Sequence, residues 1–200
     1  PAFDVHCPLM SLPLAFKSTP ESVPAPKAYL SVDPSLIQTW GERLGPKTQP
    51  RIGLVWSGNA AHRNDQHRSI ALATVLSALP PGIELFCLQK DIRDSDAATL
   101  KAHPDVRHVA QALQTFDGTA ALIEHMDLVI SVDTSMAHLA GALGKPTWIL
   151  LSRMSDWRWL MDRTDSPWYP SARLFRQTTW GSWAEPLRDV SQALRNKFTH

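Results

Sequence analysis

The chain has 200 residues, 44% of them hydrophobic and 20% charged, which suits one domain with its own core and excludes a disordered chain. Lys and Arg number 20 against 19 Asp and Glu, a net charge of +1, so no broad electrostatic pull toward nucleic acid is expected. The longest apolar runs, such as Leu128–Val132 and Trp148–Leu151, are far too short to span a bilayer.

The chain opens Pro-Ala-Phe-Asp, without Met or a signal-peptide pattern, and reads as a piece of a longer protein. Residues 1–32 contain Pro1, Pro8, Pro13, Pro20, Pro24 and Pro26. Proline removes donors and restricts its predecessor, so an irregular, extended segment is expected. Its apolar content (Phe3, Leu9, Met10, Leu12, Leu14, Phe16) predicts that it lies across another surface. Asp33 as N-cap, Pro34 in the first turn and Gly45-Pro46 as the stop bound a first helix, with Leu36, Ile37, Trp40 and Leu44 on one face.

From Arg51 onward strands and helices alternate. Arg51–Trp56 reads as a buried strand, and Ser69 as the cap of a helix carrying Leu72, Val75, Leu76 and Leu79 at helical spacing. Pro80-Pro81-Gly82 ends that helix, and Ile83–Gln89 is the next strand. A short helix around Asp94–His103, a weak strand near Val106–Val109 and a helix capped by Asp117 follow. Leu128–Val132, a helix over Thr134–Leu143 and the strand Thr147–Leu151 complete the pattern. The tail is rich in tryptophan, and Ser182-x-x-Glu185 reads as a capping box for a last helix with Leu187, Val190, Leu194 and Phe198 inward. This alternation predicts an α/β fold with a Rossmann-like, doubly wound parallel sheet.

In such sheets ligands bind beyond the carboxyl ends of the strands, and three loops there have suitable chemistry. In Asp127–Pro146, Asp133 ends a strand, and the backbone amides of Thr134, Ser135 and Met136 open a helix whose positive end suits a diphosphate. His138 stacks one turn above Thr134. Spacing alone is equally consistent with a plain N-cap and a core histidine. Trp56–Ser69 offers Gly58, which permits close backbone approach, and His62, Arg63, His67 and Arg68 as donors for phosphate, which arginine can bind bidentately. It carries neither the dinucleotide nor the P-loop glycine pattern, and a solvated loop would have the same composition. In the third loop Lys90 could reach a phosphate and Gln89 a base or sugar hydroxyl, with a plain surface lysine as the alternative. Cys7 and Cys87 fit no zinc, haem or dithiol spacing and are expected as free thiols in a reducing cytoplasm. No metal-ligand cluster and no G-x-S-x-G elbow is present.

The stretch D-L-V-I-S-V-D-T-S-M-A-H-L-A-G-A-L-G-K-P resembles the D-x-x-I-x-x-D-T-x-x-x-H-x-A-x-A-L-G-x-P signature of bacterial heptosyltransferase-like glycosyltransferases. R-I-G-L-V-W-S-G-N-A-A-H-R-N-D-Q-H-R-S-I, L-Q-K-D and S-D-W-R-W-L are similar to the glycosyltransferase region that follows tetratricopeptide repeats in many bacterial proteins. The resemblance implies the carboxyl-terminal, donor-binding half of a GT-B fold. Residues 1–50 would then hold the end of the amino-terminal domain, the crossing segment and the first helix, and residues 51–200 the nucleotide-sugar domain. It implies donor contacts at Asp133, Thr134, Ser135 and His138, with Ser57, Gly58 and Asn59 near the phosphates. Arg68 stands where the heptosyltransferases have lysine, and Ser135 where glycine is frequent. The implied reaction is inverting sugar transfer without a metal or cofactor, with the nucleotide-sugar as substrate and Arg68 and His138 as electrostatic support. The catalytic base would lie in the absent amino-terminal domain, so this piece alone would be inactive. A nucleotide-sugar epimerase and a degenerate interaction module beside the repeats are the alternatives.

Overall fold

The computed structural model describes residues 2–198; Pro1, Thr199 and His200 lie outside the described residues. The proline-rich start forms short turns, including α1 (Leu12–Ala15) between 3-10 turns at Leu9–Ser11 and Pro20–Ser22. The stretch is otherwise irregular, as expected, and Phe3, Leu9, Met10, Leu14 and Phe16 are exposed rather than laid across this domain. Proline at the first position of these turns favours helical φ, and nothing in the domain covers their apolar side chains. Lys27 and Ala28 lie against Gly144, and the Tyr29 and Leu30 amides donate to the Ala142 carbonyl.

Helix α2 (Pro34–Leu44) has the expected punctuation: Asp33 accepts from the Ser35 amide, and Gly45 turns away at φ 73°. It leads into β1 (Arg51–Val55). A single turn, α3 (Asp65–Arg68), then precedes α4 (Leu72–Ala78). Ser69 therefore does not cap α4 but closes α3, and the open Leu72 amide is bound at 3.0 Å by Asp96, 24 residues away. Strand β2 (Glu84–Cys87) is followed by α5 (Asp94–Ala102) and β3 (Val106–His108).

Helix α6 (Phe116–Glu124) is capped by the Thr115 hydroxyl, which accepts from Gly118, rather than by Asp117, which lies two residues too far in. Strand β4 (Leu128–Val132), α7 (Ser135–Ala142) and β5 (Thr147–Leu151) fall where the pattern put them. A sixth strand, β6 (Ala172–Arg176), follows a tryptophan-rich 3-10 turn at Trp157–Trp159 and was not legible in the pattern. In α8 (Ala184–Phe198) the Ser182–Glu185 box does not form. The helix starts one residue later than the box requires, and Glu185 accepts from the Thr178 hydroxyl instead.

All six strands are parallel, in the order β3-β2-β1-β4-β5-β6, the two-halved Rossmann arrangement with its switch point between β1 and β4. Helices cover both faces, so β1, β4 and β5 are buried along their whole length and read as continuous apolar runs. On one face Ile52, Leu54, Ile130 and Leu150 pack under Val75 of α4 and Leu187, Val190 and Leu194 of α8. On the other, Val55, Phe86 and Val129 pack under Trp40 and Leu44 of α2, Leu122 of α6 and Leu143 of α7. Both cysteines are free; Cys87 is buried, and burial pushes its thiol up to about 12, which leaves it inert.

Asp96 links the two crossovers on the first face. Its carboxylate is buried and accepts from the Trp56 indole at 2.9 Å and from the Leu72 amide. Asp96→Ala would strand two buried donors and should cost about 2–4 kcal/mol, read by denaturant unfolding. A loss below about 1 kcal/mol would show that the pair of bonds is not structural.

Candidate functional site at the sheet switch point

The loops leaving β1 and β4 diverge at the switch point, and the crevice between them is built on a network that sequence reasoning reached only in part. Ser69 Oγ accepts from the Gly58 amide at 3.0 Å and from Arg93 at 3.0 Å, and donates to Asp65 at 2.8 Å. A hydroxyl has one proton and two acceptor sites, so Ser69 is fully used. Asp65 is buried and ion-paired with Arg93 and, at 3.6 Å, with Arg68. Arg93 also donates to the Gly58 carbonyl at 3.0 Å. The β1 loop is thus folded around one buried carboxylate.

Arg68 crosses from that loop to the other, donating to the Asp133 carbonyl at 2.8 Å. Its guanidinium lies directly over Gly58, where a Cβ would stand 2.6 Å from Cζ. Glycine is needed there for this close approach, not for a special φ. On the β4 side Thr134 does not cap α7; its hydroxyl pairs with Ser131 at 3.1 Å. The first-turn amides of α7 therefore keep the positive end of the helix without a side-chain cap.

Two cavities meet at Arg68, Thr134 and Ser135. The first, about 550 Å3, has apolar walls from Val55, Leu88, Leu113 and Met136, with Ser57, Gly58, Asn59, Lys90 and Arg93 on its polar side. The second, about 430 Å3, is polar: His62, Asp133, His138, Ser152, Asp156 and Arg158 line it with Arg68. Of the expected site residues, these cavities bring together Ser57, Gly58, Asn59, His62, Arg68, Gln89, Lys90, Asp133, Thr134, Ser135, Met136 and His138.

Arg63 is exposed and lines neither cavity, because α3 begins two residues later and its loop points outward. The Gln89 amide is spent on Ser57, accepting from its amide at 3.2 Å and donating to its carbonyl at 2.9 Å. It is a strap between strand ends that also borders the first cavity. Asp65, Arg93, Asp156 and Arg158 were missed. Only the Asp-x-x-Arg spacing of Asp65 and Arg68, one helical turn, hinted at the first of them. Among the described residues no group of three or more metal-ligating side chains converges, and no helix is long and apolar enough to cross a membrane.

His138 is stacked on Trp159 and bonded through Nδ1 to the Tyr169 hydroxyl at 3.0 Å. Burial lowers its pKa from the ordinary imidazole value; Arg158 adds to the lowering, and Asp133 and Asp156 oppose it. For Asp156 burial works the other way, but hydrogen bonds from the Arg158 amide and guanidinium outweigh it and hold the carboxyl low.

The crevice is that of a Rossmann-like α/β domain with an anion-ready helix end at its switch point. Residues 66–182 match glycosyltransferase family 9 (heptosyltransferase), more than half of the chain, and the protein belongs to that family. It is similar to protein FlbA of Caulobacter vibrioides, 31% identical over 193 residues that cover 91% of this chain and 31% of that protein. Its fold is similar to that of Escherichia coli ADP-heptose lps heptosyltransferase II, with a TM-score of 0.56 and 19% identity over 88% of this chain and 55% of the other. A family 9 glycosyl transferase from Veillonella parvula superposes with a TM-score of 0.51 and 12% identity, covering 84% and 45%. The chain thus spans about a third of the curated relative and about half of each solved structure.

The lowered His138 value has a definite sign for stability. The unfolded chain takes up a proton there at a higher pH than the folded chain does. That contribution is complete above the unfolded value of about 6.5 and is lost as the pH falls toward the folded value. Denaturant unfolding of His138→Gln should vary less between about pH 7 and about pH 5 than that of the parent. Equal pH slopes would contradict it.

Proposed function

We propose that this domain binds the nucleoside diphosphate-sugar donor of an inverting glycosyltransferase and forms the carboxyl-terminal half of its GT-B fold. The observation that carries the reading is Arg68, anchored to the Asp133 carbonyl at the amino end of α7 and lining both cavities. A diphosphate lying there would be met by the α7 amides and a guanidinium. The apolar first cavity suits the base, with Lys90 and Asn59 at its polar edge. The polar second cavity suits the sugar, with Asp133 and Asp156 as acceptors for hydroxyls and His62, His138 and Arg158 as donors.

In the reaction this implies, a carboxylate outside the chain deprotonates an acceptor hydroxyl. The oxygen attacks the anomeric carbon, and the bond to the diphosphate breaks. Arg68 and the α7 amides would stabilise the charge that develops on the leaving oxygen, already oriented before reaction. No metal is assigned a step; the donor is the substrate and no cofactor is proposed. Neighbouring tetratricopeptide repeats and a cytoplasmic location belong to the same proposal, from the resemblance. The epimerase reading needs further carboxylates in the cleft for proton abstraction. Of the two in the second cavity, Asp156 is bonded to Arg158 through both its amide and its guanidinium, which leaves Asp133 without a second free carboxylate there. An interaction module would have no use for the buried Asp65–Arg93–Ser69 network that shapes the loop.

Calorimetric titration of the chain with ADP, UDP and GDP should show binding of one of them. Arg68→Ala should weaken it roughly 10- to 100-fold, the worth of a charge-assisted hydrogen bond. Added chelator should leave binding unchanged, and the chain alone should give no multiple-turnover transfer. A folded chain that binds none of the three overturns the reading.

A further inference from the structure

His138 borders the second cavity with its ring held from two sides. The Trp159 indole stacks on it, with centroids 5.1 Å apart and planes 15° from parallel. Tyr169 lies against it at 5.7 Å and places its hydroxyl 3.0 Å from Nδ1. Tyr169 is itself wedged against α7 at Gly141, where a Cβ would stand 2.6 Å from the ring. The other ring nitrogen, Nε2, is 3.9 Å from Asp133 Oδ1, beyond hydrogen-bond distance.

A neutral imidazole has one N–H, and the Tyr169 bond decides which nitrogen carries it. Tyr169 stays protonated, because burial, with the Tyr29 hydroxyl adding to it, raises its pKa above the ordinary tyrosine value. The Tyr169 O–H has two acceptors beside it, His138 Nδ1 at 3.0 Å and the Tyr29 hydroxyl. An imidazole nitrogen is the better acceptor, so the bond runs from the Tyr169 O–H to Nδ1 and the Tyr29 O–H donates to Tyr169. The Asp133 carboxylate beside Nε2 favours the same arrangement by attracting a proton to the nitrogen that faces it.

We propose that Tyr169 is a positioning residue that holds His138 in the Nε2-protonated tautomer, so that a neutral imidazole presents an N–H donor to the second cavity. A histidine that burial keeps uncharged can then still hydrogen-bond an oxygen of the donor, either a phosphate oxygen or a sugar hydroxyl. That last clause rests on the donor-binding reading; the tautomer does not.

Nitrogen-15 long-range spectra of the nucleotide-free chain near pH 8 distinguish the two ring nitrogens, with the His138 signals assigned by their loss in His138→Gln. The expected result is a protonated Nε2. In Tyr169→Phe, which keeps the ring against Gly141 and Trp159, the Nδ1–H form becomes populated. Affinity falls about five- to tenfold, the worth of one hydrogen bond, for the nucleoside diphosphate chosen by calorimetry if a phosphate oxygen is the partner, and for its sugar conjugate alone if a sugar hydroxyl is. A parent spectrum with Nδ1 protonated overturns the proposal, as does a Tyr169→Phe spectrum matching the parent's. Unchanged affinity for both the nucleoside diphosphate and its sugar conjugate, in a variant whose tautomer has shifted, overturns the role toward the ligand. Should Tyr169→Phe not fold, the parent spectrum decides by itself. A chain with a protonated Nε2 that binds no nucleotide keeps the Tyr169 assignment and loses the donor-site reading.

Discussion

The Arg68 guanidinium, laid over Gly58 and bonded to the Asp133 carbonyl, joins the two loops that the topology drives apart. At the switch point the chain leaves β1 toward one side of the sheet and β4 toward the other, which opens a crevice with no backbone across it. Arg68 spans that gap. Asp65, itself ion-paired with Arg93, holds it from behind, while the open end of α7 lies in front. A cation so braced can meet an incoming anion without reorganising, the condition under which electrostatic stabilisation is strongest.

The opposite, amino-terminal end of the sheet is closed by a separate set of charges. Arg51 is buried and donates to Glu84 at 3.0 Å and to the Gly45 carbonyl at 2.8 Å, and Arg107 pairs with the same Glu84. Asp127 accepts from the Arg51 amide and from Lys47, both at 2.8 Å. These groups satisfy one another and leave no donors directed into a cavity. At the carboxyl end, Ser57 Oγ and the Nε atoms of Arg68 and Arg93 are buried without a hydrogen-bond partner, though Arg68 and Arg93 are ion-paired with Asp65.

Most of the fold was legible because its signals are local. Asp33-Pro34 and Gly45 bound α2, and the buried runs of β1, β4 and β5 need no partner to be recognised as strands. The failures share a cause. Ser69 looks like a cap, yet the donor it would satisfy is bound by Asp96 from another crossover. Glu185 looks like the end of a capping box, yet Thr178 takes it. Strand β6 alternates exposed Arg173 with buried Leu174, a weak pattern in a short segment crowded by tryptophans and adjoining the sheet's edge. Hydrogen-bonding groups pair with whatever the fold brings nearest, and sequence distance carries no information about that.

The sequence by itself determined the alternation of strands and helices, the glycine and proline stops, and the helix that begins at Ser135 beside Asp133, Thr134 and His138. Each follows from periodicity or from backbone preferences acting over a few residues. Only the tertiary structure decided that Arg68 bridges the crevice while Arg63 faces away, that Gln89 straps Ser57, that Asp65 and Arg93 shape the loop, and that Tyr169 meets Nδ1 of His138. These pairings span 28 to 65 residues. They exist because the parallel sheet brings the carboxyl ends of its strands into one place.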